Sequence, residues 1–213
     1  MIFRRLFYNK KKSALKPHHR QYVTVICHIM KRFAVVILIF LFNTVSSQNR
    51  IYEISFCGRE QNVILREKNN KKFSGTINSK FHKQKSKRDI TKTKRINKNI
   101  AKIIINDLKN NGILQLKNED DKINCGDFYL DGDILNFTVT ENKIILNKGF
   151  DEVYPESESK TIEPNECRRK AQFLATIIDK QLNLKKLHSQ QFKKLGSGTC
   201  YWTGISQVCI KKK

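Results

Sequence analysis

Histidines, cysteines and closely spaced carboxylates are the groups in this 213-residue chain that could do chemistry. Nucleophilic or general acid/base catalysis needs a nucleophile, a base within hydrogen-bond reach and a third group to orient the base. Beyond residue 47 only His82 and His188 remain. His82 lies in a basic, polar stretch, so a catalytic set would have to use His188. That residue follows Lys185 and Lys186 and reads as a solvated side chain at an exposed helix end. Asp127, Asp131 and Asp133 have the spacing of a calcium loop but lack its Gly placement and its closing Glu, and a hairpin explains them better. The run Gly196-Ser197-Gly198 has no phosphate-loop context. The expectation is no catalytic set, no metal site and no cofactor.

The cysteines indicate a compartment instead. Cys57, Cys125, Cys167, Cys200 and Cys209 are spread widely, with no Cys-x-x-Cys pair among them. In an oxidising compartment they read as bridge-formers. Cys200 could close a final hairpin with Cys209, leaving Cys125 for Cys167 and Cys57 odd; a rival pattern joins Cys57 to Cys209. Asn136 heads an Asn-Phe-Thr acceptor for N-glycosylation.

Secretion is expected from Met30 to Ser47. Lys31 and Arg32 form a positive n-region, Phe33 to Phe42 an apolar run of ten, and Val45 and Ser47 the small residues before a cut. Ten apolar residues are too few for a membrane-spanning helix, which needs about 20. Residues 1–29 are read as a non-native extension ahead of a start at Met30; the alternative is one long basic n-region. After signal removal no stable membrane insertion is expected, and the localisation is extracellular, with delivery into a host cell as an option.

The formal charge of +23 is banded. Residues 1–47 hold nine of the 42 bases and none of the 19 acids, which leaves +14 downstream. Residues 66–102 have fourteen bases against two acids, residues 103–167 six against fourteen, and residues 168–213 eleven against one. The stretch "KQKSKRDITKTKR" is the most concentrated part. With few apolar residues to offset ordering entropy, residues 66–95 read as a disordered basic linker. Lys83, Lys85, Lys87, Arg88, Lys92, Lys94 and Arg95 are its candidate polyanion-binding residues, and Arg88 and Arg95 end candidate convertase sites.

The elements that must position these groups fall mainly in residues 96–213, after a short strand segment in 48–65. Ile96, Ile100, Ile103, Ile104 and Leu108 recur at helical spacing, with Gly112 as a stop. "GILQLK" suggests a strand. "DFYLDGDILNFTVTENKIILNKG" alternates, with turns at Asp131-Gly132 and around Asn142. In it Leu135, Phe137 and Val139 share one face, and Asn136, Thr138 and Thr140 the other. Asn165 or Thr161 could cap a helix whose stripe is Cys167, Ala171, Leu174 and Ile178, widened by Phe173, Ile177 and Leu182. "TCYWTGISQVCI" reads as a closing hairpin. The expected fold is a small disulfide-stabilised α+β domain, about two helices on an antiparallel sheet, preceded by a signal peptide and a disordered basic arm.

Four pieces, "YEISFCG", "CGDFYLDGDI", "VYP" at 153–155 and "CYWTGISQVC", resemble small fungal guanyl-type ribonucleases and the ribonuclease-like secreted effectors of plant-pathogenic fungi. The resemblance covers about a fifth of the chain. It implies a helix-on-sheet fold with a Cys near each end of the mature protein. Glu156 and Gln207 stand where that family carries catalytic histidines, so it implies an inactive, RNA-binding relative.

The function expected first is that of a secreted, non-enzymatic interaction protein of effector or salivary type, binding an extracellular or host protein. A proprotein cut after Arg88 or Arg95 to release a ligand, and RNA or anionic-polysaccharide binding through the basic arm, are the alternatives.

Overall fold

Strand alternation and two helical stripes build the fold. The computed structural model describes residues 49–211 except 70, 87, 118–132, 160 and 205. These residues belong to one unit, Ser47–Lys213. In β1 (Asn49–Phe56) Tyr52, Ile54 and Phe56 point to the core, as do Leu135, Phe137 and Val139 in β5 (Ile134–Glu141). β5 turns into β6 (Ile144–Asp151) through Asn142 and Lys143, both at positive φ. Two consecutive left-handed residues suit the right-handed twist of paired strands.

Residues 61–96 form β2 (Gln61–Lys68), β3 (Lys72–Lys83) and β4 (Asp89–Ile96) rather than a linker. The order is β6-β5-β1-β2-β3, with β4 also on β3 and a final pair, β7 (Thr199–Trp202) and β8 (Gln207–Cys209), attached to the end of β3. All pairings are antiparallel. β3 is the hub: Lys72–Ser79 pair with β2, Gly75–His82 with β4, and His82–Lys83 with β7. The composition misled because Val63, Leu65, Ile77 and Phe81 are buried on one side of the strands while Arg66, Lys68, Thr76, Asn78 and Lys80 occupy the other. Gly75 allows close packing here, since a Cβ would meet Leu65 Cδ2 at 2.9 Å and Ile96 Cδ1 at 3.0 Å unless those side chains moved.

Among the described residues three helices, rather than the expected two, cover one face: α1 (Lys98–Asn110), α2 (Glu166–Leu182) and α3 (Leu184–Lys193). Asn165 Oδ1 accepts from Cys167 N at 3.0 Å and caps α2. Asn183, left-handed at φ 48°, ends α2 and caps α3. In α1 the buried stripe is Ala101, Ile104, Ile105 and Leu108, and Ile103 faces out. In α2 Ala175 is buried and Phe173 is exposed. "GILQLK" is a single 3-10 turn, Ile113–Gln115, because left-handed Gly112 feeds a tight bend. The strand expected in "DFYLDGD" lies outside the described residues.

Cys200 is bonded to Cys209 across β7 and β8, which excludes the Cys57–Cys209 pattern. Cys57 is free and buried. Cys167 is also in a disulfide, whose partner lies outside the described residues, as does Cys125. The N-terminal extension and signal residues, 1–47, lie there too. No helix among the described residues is long and apolar enough to cross a membrane.

Candidate binding face

The helices leave the other side of the sheet uncovered by any described element. On that side β2 presents Asn62, Ile64, Arg66 and Lys68, and β3 presents Lys72, Ser74, Thr76, Asn78, Lys80 and His82, all half-buried or exposed. β4 adds Asp89, Thr91, Thr93 and Arg95. Arg66, Lys68, Lys72, Lys80 and Arg95 make this part of the face basic. The four on β2 and β3 belong to the basic band of residues 66–102, and strand pairing is what places them on one face.

Lys92 and Lys94 lie on the helix side of β4, opposite Ser79 and Ile77, yet both are exposed because no described helix reaches that edge. Charged side chains on the inner face of an edge strand block pairing with a further strand. Lys85 and Arg88 are exposed beside the β3–β4 turn. Lys83 is occupied: its Nζ lies 2.8 Å from Thr199 Oγ1 and 3.2 Å from Ser197 O. Lys87 is outside the described residues. The candidate basic residues thus form a structured edge, with Lys83 turned to a structural task.

The two candidate processing positions differ. Arg88 is exposed before β4, whereas Arg95 is inside β4, paired with Thr76. Asn136 is on the uncovered face of β5 between Ser55 and Gly149; it is half-buried, and its Oδ1 has no hydrogen-bond partner among the described residues.

At the β7 end the uncovered face deepens into a groove of about 390 Å³. Ser55, Glu60, Asn62, Lys80, Asp133 and Trp202 are among its walls. Trp202, the chain's single tryptophan, is 46% exposed. One of its faces stacks on His82, with centroids 6.0 Å apart and planes 20° from parallel. Gln207 from β8 hydrogen-bonds His82 Nε2 and holds that ring. Gly58 N donates to Asp133 Oδ2 at 2.6 Å, and Asn62 Nδ2 donates to Glu53 Oε1 at 2.8 Å. Gly204, at φ 87°, lets the β7–β8 turn close over Asp133, whose carboxyl carbon would sit 2.9 Å from a Cβ there.

Several buried polar groups are enclosed by aromatic rings or by one another. His188 is not solvated: it is 4% exposed, with Phe81 at 4.9 Å and Tyr201 at 4.7 Å between ring centroids. Leu184, Leu187 and His188 form the inward stripe of α3, and the neighbouring Lys185 and Lys186 face out. Burial, with a smaller push from Arg59, lowers the His188 pKa to about 4. Arg59 bonds both carboxylate oxygens of Glu158, and its Nε donates to Gln61 Oε1, whose Nε2 donates to Ser79 Oγ. Burial also pushes the Cys57 thiol well above its ordinary range; its Sγ donates to Asp133 O at 3.2 Å. At the opposite end Lys109 Nζ is 3.0 Å from buried Glu67, which also faces the Tyr52 hydroxyl at 3.4 Å.

No hydrogen bond among the described residues joins a nucleophile to a histidine base. No group of three or more metal-ligating side chains occurs among them either. Glu156 and Gln207 line separate cavities, one beside α2 and one beside β8. No family model matches the chain, and no curated protein is significantly similar to it.

Proposed function

We propose that the protein is a secreted, non-enzymatic binding protein of effector type that engages an anionic extracellular partner. The observation that carries this reading is the uncovered face of β2, β3 and β4, where Arg66, Lys68, Lys72, Lys80 and Arg95 are drawn together beside the exposed Lys92 and Lys94. A surface of one sign attracts an oppositely charged partner and speeds encounter. The segment Met30–Ser47 and the Cys200–Cys209 bond support an oxidising, extracellular destination.

The test is retention on immobilised heparin. Deleting residues 66–95 would remove the middle of the sheet, so charge reversals are the right tool. Lys92→Glu, Lys94→Glu and Arg95→Glu together should lower the eluting salt concentration sharply, because ionic contacts release counterions. Unchanged elution overturns the proposal.

A second reading, an inactive ribonuclease-like RNA-binding protein, draws on the helix-on-sheet layout. Its inactivity is supported by Glu156 and Gln207 standing where that family carries catalytic histidines. RNA that is bound but never cleaved is its expected signature.

A further inference from the structure

We propose that the groove beside Trp202 is a subsite for one pyranose ring of a uronic-acid-containing glycan. This rests on the binding reading above and names the chemical class of its partner.

The groove's volume of about 390 Å³ is within the roughly 300–1,000 Å³ range of small-molecule sites. Its main apolar feature is one aromatic plane. Trp202 stacks on His82, itself hydrogen-bonded to Gln207, and remains 46% exposed. An indole face is electron-rich, so it suits the weakly positive C–H face of a sugar ring. A fixed ring also loses little side-chain entropy on binding.

The polar walls favour the same ligand. Asp133 spends Oδ2 on Gly58 N and keeps Oδ1 for a ligand. Asn62 spends its amide N–H on Glu53 and presents its carbonyl oxygen. With Glu60, these supply acceptors for ring hydroxyls, and Ser55 can donate or accept. Exposed Lys80 is the cation for a uronate carboxylate. The basic strands β2–β4 continue from the groove, so further uronate units of the same chain would meet Arg66 and Arg95.

The single tryptophan makes the site self-reporting. The intact secreted protein is titrated with a hexamer of α-1,4-linked galacturonate while Trp202 emission is followed. A saturable shift is expected. Calorimetry should show at least about tenfold weaker binding for Trp202→Ala and for Asn62→Ala, with Trp202→Phe between them and the wild type. Trp202→Phe retains a stacking ring and guards against misfolding as the cause. The Lys92/Lys94/Arg95 reversal should weaken the hexamer in a salt-dependent way but leave the emission shift at saturation. Heparin retention without a Trp202 response overturns the subsite and spares the proposed function. A Trp202 response without heparin retention does the reverse. An oligoribonucleotide that gives the same shift at equal or tighter affinity overturns the glycan assignment.

Discussion

Arg59 and Glu158, ninety-nine residues apart in sequence, form a two-pronged ion pair in which both side chains are less than a tenth exposed. The pair fastens the acidic loop before α2 to the turn between β1 and β2. Breaking a buried pair leaves an uncompensated charge, which costs about 3–5 kcal/mol. Glu158→Ala should therefore destabilise strongly in urea unfolding, and Arg59→Met with Glu158→Leu should recover much of the loss. Similar costs for the single and double variants would contradict the clamp.

His188 should make the protein acid-labile. Its folded pKa, about 4, lies below the ordinary 6.5, so the unfolded chain binds the extra proton between those values. Stability then falls as pH drops through that window, by about 3 kcal/mol in total. Urea midpoints at pH 7 and pH 4 measure it. In His188→Phe, which keeps the contacts to Phe81 and Tyr201, most of the fall should disappear.

Tyr52 predicts the mirror-image behaviour in alkali. Burial first, and then Glu67, push its phenol from 10 up to about 12. The unfolded chain releases the proton first, so stability falls between pH 10 and 12. Glu67→Gln removes the nearby negative charge and should shift the Tyr52 transition downward in an ultraviolet titration.

The closing hairpin offers a further measurement. Cys200 and Cys209 enclose a separation of nine residues, for which loop-closure entropy gives about 2–3 kcal/mol. Cys200→Ser with Cys209→Ser should lower stability by that amount. Trp202 emission should also change, because β7 carries the indole.

Proteolysis separates the two dibasic positions. Arg88 is exposed beside a turn, while Arg95 is held in β4 by pairing with β3. A dibasic-specific protease should nick after Arg88 and spare Arg95. The fragments should co-elute until denaturant is added, because β1, β2 and β3 remain hydrogen-bonded into the sheet. Fragments that separate under native conditions would favour the released-ligand alternative.

How much of this was legible depended on what each local signal measures. The Leu135–Phe137–Val139 alternation and the Asn165 cap could be read because strand period and capping chemistry are local. Residues 66–95 could not. Gly75 and Ser79 carry no hydropathy signal although both are buried on the face of β3 that also carries Ile77 and Phe81. Charge density there describes the uncovered face, not the absence of a fold. His188 was missed because two adjacent lysines dominate its surroundings in sequence, while its real neighbours, Phe81 and Tyr201, come from β3 and β7. The groove depends on long-range geometry throughout: Asn62, Lys80, Asp133 and Trp202 come from four separate segments.

Cys57 carries one more consequence. Its thiol is enclosed, bonded to Asp133 O and held in the protonated form, so it is chemically silent while the fold is closed. An alkylating reagent in solution can reach it only when that end of the sheet opens, and it then records the event permanently. Modification of Cys57 over time is thus a clock for breathing of the β1–β2 turn. A ligand seated against Asp133 in the neighbouring groove should slow that clock.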